Sequence, residues 1–219
     1  MHFTVENLNN IKNQIKQKLN QNSQNIPKII AVSKTFPIEK ILPLIEFGHA
    51  DFGENKIQEA VDKWTSVKSQ NKNIRLHLIG KLQTNKVKSA VKIFDYIHSV
   101  DSEKLAKKIA IECEKINKKI KIFIQINIGD ENQKSGASLD NLETLYNFCK
   151  KELDLDVIGL MCIPPNDENT EKYFSKMFQI KEKYKLNELS MGMSNDYMLA
   201  LKYGSTYLRI GSKIFGSRS

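Results

Sequence analysis

The sequence contains no apolar run near the roughly 20 residues that a membrane-crossing helix needs, which excludes a helical membrane span. Cysteine is sparse: Cys113, Cys149 and Cys162 lie far apart, with no CxxC or metal-ligand spacing. That pattern argues against a disulfide framework and a zinc site, and fits free thiols in a reducing cytosol. The opening MHFTVENLNNIKNQIKQKLN lacks the charged, apolar, small-residue order of a signal peptide, so the expected location is cytoplasmic. No GxGxxG follows the first strand candidate, which weakens a dinucleotide-binding sheet. No linker, repeat or low-complexity tract divides the chain, and residues 1–219 read as one domain.

Arginine is scarce too, with only Arg75, Arg209 and Arg218 in a chain that uses lysine almost everywhere. An arginine inside an apolar segment, as in YLRIG, suggests a need for its planar, permanently charged fork. The formal net charge is +9, so a polyanion partner has to be weighed. The lysines are spread over the whole length, however, and isoleucine and asparagine are also abundant. Codon bias and a solvated lysine surface account for that mixture without a nucleic-acid partner, while anionic small molecules stay in play.

What is present is an alternation. Leu8, Ile11, Ile15 and Leu19 mark one face of a first helix over 5–20. Eight short strand candidates follow, at 29–32, 50–53, 76–79, 96–100, 120–127, 157–161, 188–190 and 206–210. Between them lie helix candidates at 38–47, 55–68, 85–93, 102–118, 139–152, 168–184 and 196–203. Ser102, Ser138 and Ser194 precede helical stretches as candidate caps. Eight βα units predict an α/β fold, a closed (β/α)8 TIM barrel with an extra N-terminal helix; an open doubly wound sheet is the alternative.

Two places then carry chemistry. After the seventh strand comes Met191-Gly192-Met193-Ser194, and after the eighth comes Gly211-Ser212. Glycines admit a ligand to the backbone, and loops after strands seven and eight are the usual phosphate site of such barrels. Turning the chain and capping a helix is the alternative reading of the same residues. The other place is AVSKTFP, where Lys34 ends the first strand. Closure makes strands one and eight neighbours, so Lys34 faces Gly211 and Ser212 across the barrel mouth. A phosphate beside a lysine amine suits pyridoxal 5′-phosphate, which forms a Schiff base with lysine. At an ordinary lysine pKa, only about one amine in a few thousand is neutral at pH 7, so desolvation or a nearby cation such as Arg209 has to help. On these residues alone, a solvated surface lysine remains the competing reading.

AVSKTFP, FGENKIQE, HLIGKLQTNK, IQINIGDENQKSG, GLMCIP, LSMGMSND and GSTYLRIGSKIFG occur in that order. Together they resemble the pyridoxal phosphate homeostasis protein family, relatives of the alanine racemase N-terminal barrel, over nearly the entire chain. The resemblance implies that Lys34 forms the Schiff base and that Asn55 of the GEN motif lies near the cofactor. It implies further that Ser194, Gly211 and Ser212 are the phosphate-binding groups, that Met193 of LSMGMSND is among the cofactor-binding residues, and that Arg209 faces the pyridine nitrogen. His77 falls in the matching HLIG segment, with a core histidine as its plain alternative.

A cationic Arg209 discourages protonation of the pyridine nitrogen and makes the ring a poorer electron sink. Racemisation also needs two proton-transfer groups on opposite faces of a carbon. Alanine racemase-like enzymes take one from a tyrosine of an added C-terminal domain, whereas this sequence stops soon after the eighth strand, and Tyr197 and Tyr203 read as packing residues. The expectation is a non-catalytic, monomeric carrier or buffer of pyridoxal phosphate that serves apo-enzymes. A small amino-acid racemase and a basic nucleic-acid-associated protein are the alternatives.

Overall fold

The computed structural model describes residues 1–19, 26–131 and 133–217. Each of the eight strand candidates forms a strand: β1 (Lys28–Val32), β2 (Asp51–Glu54), β3 (Arg75–Leu78), β4 (Tyr96–Val100), β5 (Lys121–Ile126), β6 (Asp156–Cys162), β7 (Glu188–Met193) and β8 (Tyr207–Ile210). They pair in parallel in chain order, and β8 returns to β1 with Ile210 opposite Ala31, closing the barrel. The open-sheet alternative is therefore excluded. Nearly all strand residues are buried, polar ones included, because helices cover the outer faces while side chains fill the interior.

The helices are α1 (Phe3–Lys18), α2 (Ile38–Glu46), α3 (Ile57–Gln70), α4 (Val87–Ile93), α5 (Glu103–Lys115), α6 (Leu142–Asn147), α7 (Thr170–Lys183), α8 (Tyr197–Lys202) and α9 (Ser212–Phe215). The extra helix α1 buries Leu8, Ile11 and Ile15 of the predicted stripe, leaves Leu19 partly buried as its C-cap, and packs against α2, α8 and α9. Its predicted end at Asn20 lies outside the described residues. The short tail after β8 contains the single turn α9, pinned by Ile214 and by Phe215, which stacks on Phe36 with ring centroids 4.9 Å apart.

The capping expectations need correction. Ser102 occupies the N-cap position of α5 but makes no side-chain cap bond. The α6 helix starts at Leu142 rather than Leu139, because Ser138 Oγ accepts from Asn141 N at 3.3 Å and closes the turn before the helix. Ser194 does not cap α8, whose N-cap is Asp196; its hydroxyl is used elsewhere.

Candidate functional site

β1 ends at Val32, and Ser33-Lys34-Thr35 turns the chain at the C-terminal mouth. Lys34 has the same strand parity as Ile30, which packs in the barrel interior, and it is half-buried. The residues on either side of it are tied down. Ser33 Oγ donates to Glu54 Oε1 at 2.8 Å, Lys63 Nζ donates to Ser33 O at 2.9 Å, and Thr35 N donates to Glu59 Oε1. Thr35 has φ 67°, a left-handed conformation that a β-branched residue rarely adopts, so these contacts hold a strained turn. Glu54 is fully buried; its Oε1 also accepts from Trp64 Nε1 and Lys63 Nζ, both at 3.0 Å. Burial raises the Glu54 pKa against the opposing pull of Lys63, Trp64 and Ser33. None of Glu54, Lys63 and Trp64 stands out in sequence, although Glu54 adjoins Asn55 in the GEN motif.

Asn55 follows β2 directly and is half-buried at the same mouth. Its backbone presses on Gly80 so closely that a Cβ there would lie 2.5 Å from Asn55 O. The glycine of HLIG is thus a packing requirement, because only a residue without a side chain lets the two loops meet.

The strand-seven and strand-eight loops converge as expected, by a route the sequence did not reveal. Ser194 Oγ accepts from Gly211 N at 3.3 Å and from Lys213 N at 3.4 Å, so two backbone N–H groups aim at one point beside a nearly buried hydroxyl. Such a nest of N–H donors with a hydroxyl suits an anion. Gly192 makes the approach possible: it has φ 91°, and a Cβ there would lie 2.6 Å from Ala200 Cβ. Gly211 packs beside Val32, the last residue of β1, and Ser212 is exposed next to it. Met193 N is already donated to Asp196 Oδ1, so Met193 offers its exposed side chain rather than its N–H. Lys34, Asn55, Met193, Ser194, Gly211 and Ser212 therefore share one end of the barrel.

Below them lies Arg209, only 3% exposed. Its Nη1 donates to Ser190 Oγ at 2.7 Å and its Nη2 to Cys162 O at 2.8 Å. Burial lowers its pKa, with Cys162 and Asp196 opposing, yet a guanidinium keeps its charge in proteins. His77 is buried, as the core reading has it, and also hydrogen-bonded to Asp51 and His98. Tyr197 donates to Gln14 Oε1 and Tyr203 to Glu171 Oε1, so neither hydroxyl serves the mouth. A groove of about 710 Å³ between Pro27, Lys28, Lys185, Glu188 and Thr206 opens at the opposite end and contains none of these site residues.

Comparison with known proteins agrees with this fold. The profile of the family "Alanine racemase, N-terminal domain" matches residues 7–219. A protein of Haemophilus influenzae named pyridoxal phosphate homeostasis protein is 38% identical, over 97% of this chain and 95% of its own. The solved structure of PipY from Synechococcus elongatus without PLP superposes with a TM-score of 0.85 at 30% identity, covering 98% of this chain and 100% of PipY. PipY with PLP bound gives a TM-score of 0.83 at 30% identity, over 97% and 100% of the two chains. The chain belongs to the alanine racemase N-terminal domain family, among the pyridoxal phosphate homeostasis proteins.

Proposed function

We propose that this protein binds pyridoxal 5′-phosphate at the barrel mouth, as a Schiff base with Lys34, and acts as a buffer or carrier in vitamin B6 homeostasis. The observation that carries the reading is the meeting at Ser194 Oγ of Gly211 N and Lys213 N, just past β8, which neighbours β1 and the turn that bears Lys34. The PLP-bound structure of PipY and the name of the Haemophilus relative point the same way. Bound there, the cofactor supplies an aldehyde that condenses with an amine.

The chain's own residues would divide the work. Ser194, Gly211 and Ser212 hold the phosphate, with Lys213 N as a further donor that sequence reasoning overlooked. Met193 would belong to the same phosphate segment, Asn55 would lie near the cofactor, and Arg209 would supply a cationic N–H donor to the pyridine nitrogen. The Ser33 and Thr35 clamps fix the turn from which the Lys34 amine reaches in.

The non-catalytic part of the proposal rests on two features. Arg209 is a cation, which disfavours the protonated pyridine that carbanion chemistry draws on. Tyr197 and Tyr203, on α8 and just after it, have their hydroxyls engaged away from the mouth, which leaves them unsuited to act as a second base. A single-domain, monomeric, cytoplasmic protein that passes the cofactor to apo-enzymes fits this reading.

The test is an absorbance spectrum of the loaded protein before and after borohydride, with peptide mapping of the modified residue. The wild type shows a Schiff-base band that becomes fixed to Lys34, and Lys34→Ala folds but loses the band. Label on another lysine overturns the assignment. Formation of D-amino acids from L-amino acids at ordinary enzyme rates overturns the carrier role in favour of a racemase.

A further inference from the structure

A column of hydrogen-bonded polar side chains runs through the barrel interior, from its floor to Arg209. At the floor Arg75 grips Asp51 with two bonds, Nε to Oδ1 at 2.7 Å and Nη2 to Oδ2 at 2.6 Å. Asp51 Oδ1 also meets His77 Nε2 at 3.0 Å. His77 Nδ1 lies 3.0 Å from His98 Nε2, and His98 Nδ1 lies 2.8 Å from Ser190 Oγ. Ser190 Oγ in turn accepts from Arg209 Nη1 at 2.7 Å. His77, His98 and Ser190 are wholly buried. Both rings are clamped flat, His77 on Tyr96 and His98 on Phe123, each with centroids 4.2 Å apart. Two of the three arginines in the sequence thus stand at the two ends of one column.

The chemistry of these groups allows the column one direction. An ionised carboxylate only accepts, and Arg75 keeps Asp51 ionised: burial alone would raise its pKa, but its hydrogen bonds to His77 and Arg75 hold it well below the usual carboxylate range. His77 Nε2 therefore carries a proton and donates. A neutral imidazole has one N–H, so His77 Nδ1 accepts, and His98 Nε2 must donate to it. His98 Nδ1 then accepts the one hydroxyl proton of Ser190, whose lone pairs are left for Arg209. Protonating His77 would set two N–H groups against each other across 3.0 Å. Burial lowers the pKa of both histidines, and His77 and Arg209 push that of His98 further down.

We propose that Asp51, His77, His98 and Ser190 are positioning residues: a one-way hydrogen-bond relay that orients the Arg209 guanidinium while offering it only neutral acceptors. The consequence is electrostatic. A carboxylate in direct contact would neutralise Arg209, whereas Ser190 Oγ and Cys162 O hold it and leave its charge intact. The carboxylate that ends the relay is three side chains away and already paired with Arg75. The mouth thus receives a cation in a defined orientation with no carboxylate bonded to it, Asp196 acting on it only through space. This rests on the proposed cofactor reading for its use, and on the apo-protein geometry for its existence.

The experiment therefore begins without cofactor. In ¹⁵N-labelled full-length protein, ring ¹⁵N–¹H correlations show His77 and His98 both as the Nε2–H tautomer. The Arg209 Nη protons give separate, slowly rotating signals. Asp51→Asn, which keeps the shape but removes the directing charge, mixes the histidine tautomers. Ser190→Ala leaves the tautomers in place, collapses the Arg209 signals and weakens pyridoxal phosphate binding about fivefold; Ser190→Thr restores both. A wild-type protein with either histidine as Nδ1–H, or with tautomers in exchange, overturns the relay. So does a Ser190→Ala variant whose Arg209 signals match the wild type. If Ser190→Ala does not fold, the wild-type tautomers decide. Failure of the cofactor reading shows separately, as a wild type with the expected tautomers and no borohydride-fixed label.

Discussion

Replacing Lys63 with methionine removes an ammonium that lies 3.0 Å from Glu54 Oε1, 2.9 Å from Glu59 Oε1 and 2.9 Å from Ser33 O. The Glu54 side chain has no exposed surface, and its Oε2 is buried without a hydrogen-bond partner among the described residues. Stripping the counter-ion from a buried carboxylate costs about 3–5 kcal/mol, unless the group takes up a proton. Glu54 already has its pKa raised by burial, so proton uptake is the cheaper route. A carboxyl whose folded pKa exceeds its unfolded value of about 4.3 binds more protons folded than unfolded. Stability then falls as pH rises between those two values, by about 1.4 kcal/mol per unit. At pH 7.5 the loss for Lys63→Met is about 3–4 kcal/mol, and at pH 5 it shrinks to about 1–2 kcal/mol, the residue of the lost neutral contacts. Urea unfolding at the two pH values measures this. Trp64, the chain's one tryptophan, donates to the same Glu54 oxygen and reports the site by fluorescence. A loss under about 1 kcal/mol at pH 7.5, or an equal loss at both pH values, refutes the reasoning. Adding Glu54→Gln to the variant abolishes the pH dependence, because an amide needs no counter-ion.

Three shorter predictions follow from the same geometry. Ser194→Ala removes the acceptor on which Gly211 N and Lys213 N converge, and weakens pyridoxal phosphate about tenfold while leaving phosphate-free pyridoxal unchanged, as fluorescence titration will show. Gly192→Ala forces a side chain onto φ 91° and to 2.6 Å from Ala200 Cβ; it costs about 2–4 kcal/mol in denaturant unfolding, and a loss below 1 kcal/mol contradicts the packing. Cys149 and Cys162 are buried with their thiols pushed up to about 12, so a disulfide reagent at pH 8 leaves both unmodified in the native protein, whereas urea exposes all three cysteines.

Local chemistry made much of the molecule legible. Several strands are short β-branched runs, such as KIIAV of β1 and KIFIQI of β5, and most helices carry an apolar rhythm, so the alternation and the barrel could be read from patterning. The phosphate loops were visible for a similar reason: Gly192 and Gly211 sit where a barrel places its C-terminal loops. Helix starts were less legible. A serine hydroxyl satisfies whichever N–H groups the fold brings near it, and for Ser194 these belong to residues 17 and 19 positions away in the chain.

Sequence by itself determined the alternation, the strand ends on which Lys34, Asn55 and Arg209 stand, and the rarity that made Arg75 and Arg209 noticeable. Only the tertiary structure decided which polar residues meet. Period-two patterning says that His77, His98 and Ser190 lie on strands, but not at what depth each enters the barrel, because stagger between strands is a property of closure. The same holds for Glu54 and Lys63, nine residues apart along the chain and joined where α3 folds back over β2. Burial makes these contacts selective: away from water a polar group must find its partner inside the protein, and that partner is chosen by the fold rather than by sequence neighbours.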